Sequence, residues 1–447
     1  MRNLHTKGLV LKILIFSICY FWDVGVSTSG DNSMGRVLRS EQIQPIPYRI
    51  NNELSNLDDF KLLESKIVSM LSKFDIKGAS VAVAKDGRLV YAKGIGYADA
   101  EAKELVEPKH LFRVASVSKL ITAATIMKMI ELGMLEIDDK VFGKDGILND
   151  SLYPDYVDPR IENITVRHLL NHSGGWNRRF GDPMIKHHVI AREMRVNVTD
   201  IKMPDILRYT LKQRLHFDPG SRTSYSNMGY AVLGEIIETI TGMRYETYVR
   251  QKILFPLGIY EMRIGKKLLE DRFENEVKYY GLADAQKFNL NNNERRIFPM
   301  AYGGNDIETL GAAGGWIASP AEILKLVVAI DNATGTPNLL APETIEVMTD
   351  TSLSGGHPIG WAGTDGQGNW WRTGTLAGTS ALVMRQNDGI SWAVFFNSST
   401  YKGTRLSGEM KHEVTIALNK LEHWPEHDLF YYFDTPPMLY PDIALLQ

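Results

Sequence analysis

Ala79-Ser80-Val81-Ala82-Val83-Ala84, then Lys85-Asp86-Gly87, then Arg88-Leu89-Val90-Tyr91-Ala92, make a small-residue and β-branched run, a turn and a second apolar run. Asp and Gly tolerate the positive φ angles of a tight turn, so this order predicts a hairpin. Far along the chain, Ser380 to Gln386 and Ile390 to Asn397 flank Asn387-Asp388-Gly389 in the same way. A helix from about Asp58 to Phe74 precedes the first hairpin, with Leu62, Leu63, Ile67, Leu71 and Phe74 at helical spacing. An amphipathic helix from about Leu406 to Leu421 follows the second.

Between the hairpins the pattern is mainly helix and loop. From Ser116 to Leu135 it turns helical, and Leu120, Ile121, Ala123, Ala124, Ile126 and Met127 leave no polar face, which predicts a buried helix. Tyr230 to Thr241 reads as another apolar helix, stopped by Gly242. Ser319-Pro320-Ala321-Glu322 places Ser at an N-cap and Glu where a capping box needs it. The expected fold is therefore α+β. An antiparallel sheet flanked by helices is formed by N- and C-terminal segments, and an all-helical region is inserted at about 136–300. The cleft between the two regions is where a site is expected.

The chain has 447 residues, 44% apolar and 23% charged, with a formal net charge of −3. That balance offers no general attraction for nucleic acid or an anionic membrane, and no basic run with interleaved aromatics appears. Cys19 is the single cysteine, so no intramolecular disulfide or catalytic thiol is expected downstream. It lies in the apolar stretch 9–22, preceded by Arg2 and Lys7 and followed by Gly25, Ser27 and Ser29, the order of an export signal. Lys12 interrupts a run already shorter than a membrane span, so a cleaved signal is favoured over a retained anchor. The expected organisation is a signal or anchor at 1–29, an extension at 30–57, a catalytic domain at 58–421 and a surface tail at 422–447. The product would be periplasmic or extracellular, touching a membrane only through an uncleaved anchor.

Three constellations carry chemistry. Ser116 and Lys119 lie one helical turn apart at the opening of the apolar helix, where free N–H groups and a positive partial charge gather. Burial would lower the lysine pKa and make it a usable base for a serine nucleophile. The plainer alternative is a capping serine and a lysine reaching out to water. Tyr225-Ser226-Asn227 stands before the second apolar helix, so a phenol could share the proton of Lys119 and an amide could meet a substrate; a loop tyrosine and a turn asparagine is the alternative. Arg372-Thr373-Gly374-Thr375 enters the late strands. Gly374 would let a substrate backbone approach, Thr375 N–H could join Ser116 N–H as donors to an oxyanion, and Arg372 with Thr373 could hold a substrate carboxylate. An exposed edge arginine before a turn is the alternative. His187-His188 and His423/His427 lack further ligands at suitable spacing, so no metal is expected.

In this order the motifs resemble the serine β-lactamase and penicillin-binding protein family, in its class C β-lactamase-like branch of D-alanyl-D-alanine carboxypeptidases and esterases. The stretches Ile164 to Gly175, Asn227-Met228-Gly229-Tyr230, Phe255-Pro256-Leu257-Gly258 and Gly311 to Trp316 carry the resemblance further, from about residue 60 to 420. It implies acyl transfer without a cofactor on a small peptide, lactam or ester. Ser116 would be the nucleophile, Lys119 and Tyr225 the proton-handling pair, and Asn227 with Arg372, Thr373, Gly374 and Thr375 the substrate-binding residues. One departure stands out: arginine occupies position 372, where the family has lysine or histidine. Arginine keeps the charge but gives up no proton at working pH. The competing expectation is a penicillin-binding sensor that acylates without efficient turnover.

Overall fold

In the computed structural model, residues 50–431 are described except 150, 283–287, 290–296 and 332–337. The export segment, most of the 30–57 extension and the tail beyond 431 lie outside the described residues. A seven-stranded antiparallel sheet holds β1 (Gly78–Lys85), β2 (Arg88–Asp99), β3 (Glu104–Leu105), β4 (Gly363–Thr364), β5 (Trp370–Leu376), β6 (Thr379–Arg385) and β7 (Ile390–Phe396), in the order β3-β2-β1-β7-β6-β5-β4. The first hairpin thus meets the second in the middle of the sheet, with Val81 opposite Val394. Asp86 (φ 49°) and Gly87 (φ 79°) both take the left-handed conformation that a two-residue hairpin loop requires. Asp86 N–H donates to the Gly389 carbonyl at 2.9 Å, joining the two hairpin turns.

Alternation sorts the strand residues between two cores. Ala79, Val81, Val83, Trp392 and Val394 pack against Leu63, Ile67 and Met70 of α1 (Lys61–Phe74) and against Met410 and Val414 of a C-terminal helix, Leu406–Leu418. Ala82, Ala84, Ala393 and Phe395 face the opposite core, which runs on into the helical region. There α2 (Ser118–Glu131) is buried around nearly its whole circumference, Ser118 to Met127 without a break. Next come α3 (Asn227–Thr241), α4 (Ile307–Gly314, kinked at Gly311) and α5 (Pro320–Val328), and the C-terminal helix is α6.

Four expectations are corrected in detail. The inserted region is not wholly helical: its strand Arg263–Ile264 pairs with Trp316–Ala318, which pairs with Phe112–Arg113, and strands of two or three residues are too short to print a period in sequence. α3 begins at Asn227 rather than Tyr230, because the Ser226 side chain caps it by accepting from Gly229 N–H. At α5 the Ser319 cap forms, but the Glu322 carboxylate accepts from Glu261 N–H (2.9 Å) and ties α5 to a distant loop. The surface tail turns inward at the end of its described part: Leu429 and Phe430 are buried, and Asp428 accepts from Leu89 N–H of β2 at 3.0 Å.

Candidate active site

Ser116 lies on a single 3-10 turn, Ala115–Val117, that leads directly into α2. Its neighbour Ala115 holds φ at 48°, a conformation an L-residue adopts at a cost and one that collects at functional turns. Two contacts from β5 hold the turn there. Arg372 Nε donates to the Ser116 carbonyl at 2.7 Å, and Gly374 lies so close that a Cβ would run into the Val114 carbonyl and meet Ala115 Cβ at 3.2 Å. The Ser116 side chain itself remains partly exposed.

The hydroxyl of Ser116 stands 2.6 Å from the Tyr225 hydroxyl and 3.4 Å from Lys119 Nζ. Lys119 is wholly buried. It donates to Asn227 Oδ1 at 2.7 Å and to the Ala313 carbonyl at 2.5 Å, and lies 4.8 Å from the Tyr225 ring centroid. Arg372 Nη2 donates to the Tyr225 oxygen at 3.2 Å. The His172 ring packs 4.7 Å from the Tyr225 ring, and its Nδ1 accepts from Ser226 N–H.

Electrostatics follow from this crowding. Burial lowers the Lys119 pKa to about 8; the Tyr225 oxygen pulls it up and Arg372 pushes it further down. Burial alone would raise the Tyr225 phenol, but the Lys119 and Arg372 cations outweigh it and bring the phenol down to about 8. Burial drives His172 well below its ordinary value, so this imidazole is neutral at pH 7. The arrangement can take a proton from the Ser116 hydroxyl onto an oxygen whose anionic form the two neighbouring cations stabilise.

The structure brings Ser116, Lys119, Tyr225, Asn227 and Arg372 together and gives some of them other partners than the sequence suggests. Arg372 is 1% exposed, with Nε and Nη2 engaged on its own chain, so in this state it is a clamp beneath the nucleophile rather than a group presented to a carboxylate. Alternation along β5 places Thr373 on the face opposite Arg372 and Gly374, the face that carries Trp371. Thr375 follows the same alternation, leaving its N–H as what it can offer. The approach at Gly374 is made by the chain's own backbone at Val114 rather than by a substrate.

Asn227 points its amide nitrogen at Asp182 Oδ2 (2.5 Å), a partner the sequence did not reveal. An Asp-Pro pair reads as a turn cap, and Asp182 does cap Pro183–Ile185, so nothing local marked its second contact. Arg178, 6.0 Å from the Tyr225 ring centroid, was likewise unmarked. Among the described residues, no group of three or more His, Cys, Asp or Glu is placed to hold a metal, and no helix is long and apolar enough to cross a membrane.

A model of the beta-lactamase family matches residues 63–412. Among curated proteins, penicillin-binding protein 4* of Bacillus subtilis is 30% identical over 223 residues, 49% of this chain and 45% of that protein. The matched stretch thus spans less than half of this relative. Among solved structures, the octameric penicillin-binding protein homologue from Pyrococcus abyssi is 26% identical, covering 80% of this chain and 78% of that one with a TM-score of 0.60. D-amino acid amidase from Ochrobactrum anthropi SV3 is 21% identical, covering 81% of this chain and 99% of that one with a TM-score of 0.61, a likeness of fold.

Proposed function

This chain belongs to the beta-lactamase family, and from that premise we propose that it is a serine hydrolase working through an acyl-enzyme on Ser116. The observation that carries the reading is the 2.6 Å contact between the Ser116 and Tyr225 hydroxyls, with the buried Lys119 amine beside both. Ser116 Oγ attacks the substrate carbonyl carbon as its proton passes to the Tyr225 oxygen. The resulting oxyanion is met by N–H groups of Ser116 and Thr375, donors of a kind worth about 3 kcal/mol each in such sites. The Tyr225–Lys119 pair returns the proton to the leaving amine or alcohol, and then activates the water that releases the acyl group.

The substrates proposed are peptides containing D-amino acids, β-lactams, or small esters and amides. Arg372 bears on the choice. It supports the phenolate of Tyr225 as a fixed cation but cannot relay a proton, which favours ester and amide turnover over fast lactam hydrolysis. The apolar N-terminal stretch supports an exported protein, periplasmic or extracellular.

Intact-mass measurement after exposure to a fluorophosphonate and to a β-lactam tests the proposal. An adduct on the wild-type chain that is missing in Ser116→Ala is expected, with the lactam adduct decaying in time. A lactam adduct that never decays would mark a protein that acylates without turnover. No adduct with either reagent would overturn the assignment of Ser116.

A further inference from the structure

The side chain of Asn227 is oriented by its neighbours' chemistry. Lys119 offers only donors and Asp182 only acceptors, so the amide must turn its oxygen to Nζ (2.7 Å) and its nitrogen to Oδ2 (2.5 Å). Asp182 is itself fixed, since its Oδ1 accepts from Met184 N–H at 3.0 Å, capping the turn Pro183–Ile185. A three-member line, Asp182 to Asn227 to Lys119, therefore runs from a half-buried carboxylate to the buried amine.

We propose that Asp182 is a positioning residue of the active site, which locks the Asn227 amide so that its oxygen holds Lys119 against Ser116 and Tyr225. This rests on the Ser116 acyl-enzyme reading. Several charged or titratable groups surround the Lys119–Tyr225 pair. Arg372 reaches it from β5, and His172 lies against the phenol with His357 behind it at 5.3 Å. Tyr230 reaches it from α3, and Arg178 and Asp182 from the segment ahead of residue 186. Asp182 is the acidic member of this set. Its charge opposes that of Arg372 at Lys119, favouring the ammonium and so raising the pH at which the pair gives up its proton.

Asp182→Asn and Asp182→Glu, followed by the pH dependence of p-nitrophenyl acetate hydrolysis, test the assignment. Asp182→Asn can still cap the turn but loses the charge. The acid limb of kcat/KM is expected to move down by about half a pH unit, an opposite charge acting through one intervening amide. With the amide free to turn, kcat should fall about tenfold while KM stays within about twofold. Asp182→Glu should return the limb toward wild type. An unmoved limb in Asp182→Asn overturns the assignment. So does a loss of activity that only follows a fall in folded fraction by circular dichroism and is not rescued by Glu. A wild-type chain that neither hydrolyses the ester nor takes a fluorophosphonate removes the parent reading, and this one with it.

Discussion

Replacing Lys119 by methionine should abolish activity and at the same time stabilise the fold at neutral pH. The amine is inaccessible to water, and burial, offset in part by Tyr225 and deepened by Arg372, brings its pKa from 10.5 to about 8. At about 1.36 kcal/mol per pH unit, the folded chain holds this proton less favourably than the unfolded chain by ~3 kcal/mol. Between 8 and 10.5 the unfolded state binds more protons, so stability rises with pH there; the penalty is full below 8 and gone above 10.5. Tyr225 acts in the same direction, since a phenol lowered from 10.0 to about 8 adds stability as pH rises through 8 and loses it below. Methionine removes the charge at similar volume but leaves Asn227 Oδ1 and the Ala313 carbonyl without their donor, at a cost of ~1 kcal/mol each. A net gain of ~1 kcal/mol is expected at about pH 7, fading or reversing by about pH 9.5, read by urea unfolding at both values. p-Nitrophenyl ester hydrolysis should fall at least ~100-fold. A variant less stable than wild type at pH 7, or one whose advantage grows with pH, would refute the idea that this amine is held against its own hydration.

Tyr225→Phe removes the oxygen nearest Ser116 Oγ, so kcat/KM for the same ester should drop at least ~100-fold and fluorophosphonate labelling should slow in parallel. Gly374→Ala presses a methyl on the Val114 carbonyl and the Ala115 turn, and should cost ~1–3 kcal/mol in thermal or urea unfolding while lowering activity through displacement of Ser116. Gly408→Ala is the contrasting case: it lies in α6 with open space around its Cβ position, so the variant should gain ~0.5–1 kcal/mol with activity unchanged.

The sheet was legible because its signals are local. Asp86-Gly87 marks a tight turn, and the short β-branched and apolar runs on either side of it are of strand length. Ser116 and Lys119 were legible because the apolar helix that buries Lys119 is entered directly from the turn carrying Ser116, and a spacing of three brings the two side chains together. What escaped reading depends on register and on contacts between distant loops. The direction of Arg372 follows from which face of β5 packs on Val114, a fact set by pairing with β6. That Thr373 must point the other way was implicit in the two-residue period, once Arg372 is placed inward. Asp182 carried no usable mark, since its capping role fully accounts for an Asp before Pro. The short strand at Arg263–Ile264 exists only because Trp316–Ala318 lies alongside to receive it.

The seam between β1 and β7 also has a consequence for biosynthesis. The contact from Gly78 N–H to Asn397 Oδ1 closes a loop of 319 positions. A ribosome releases the first hairpin long before its partner exists. Until then β1 presents a bare row of amides and carbonyls with apolar side chains on both faces, a template for any other chain in the same condition. Assembly should accordingly be slow and sensitive to crowding by its own nascent copies, and holdase chaperones should raise the yield of folded chain more than lower temperature does.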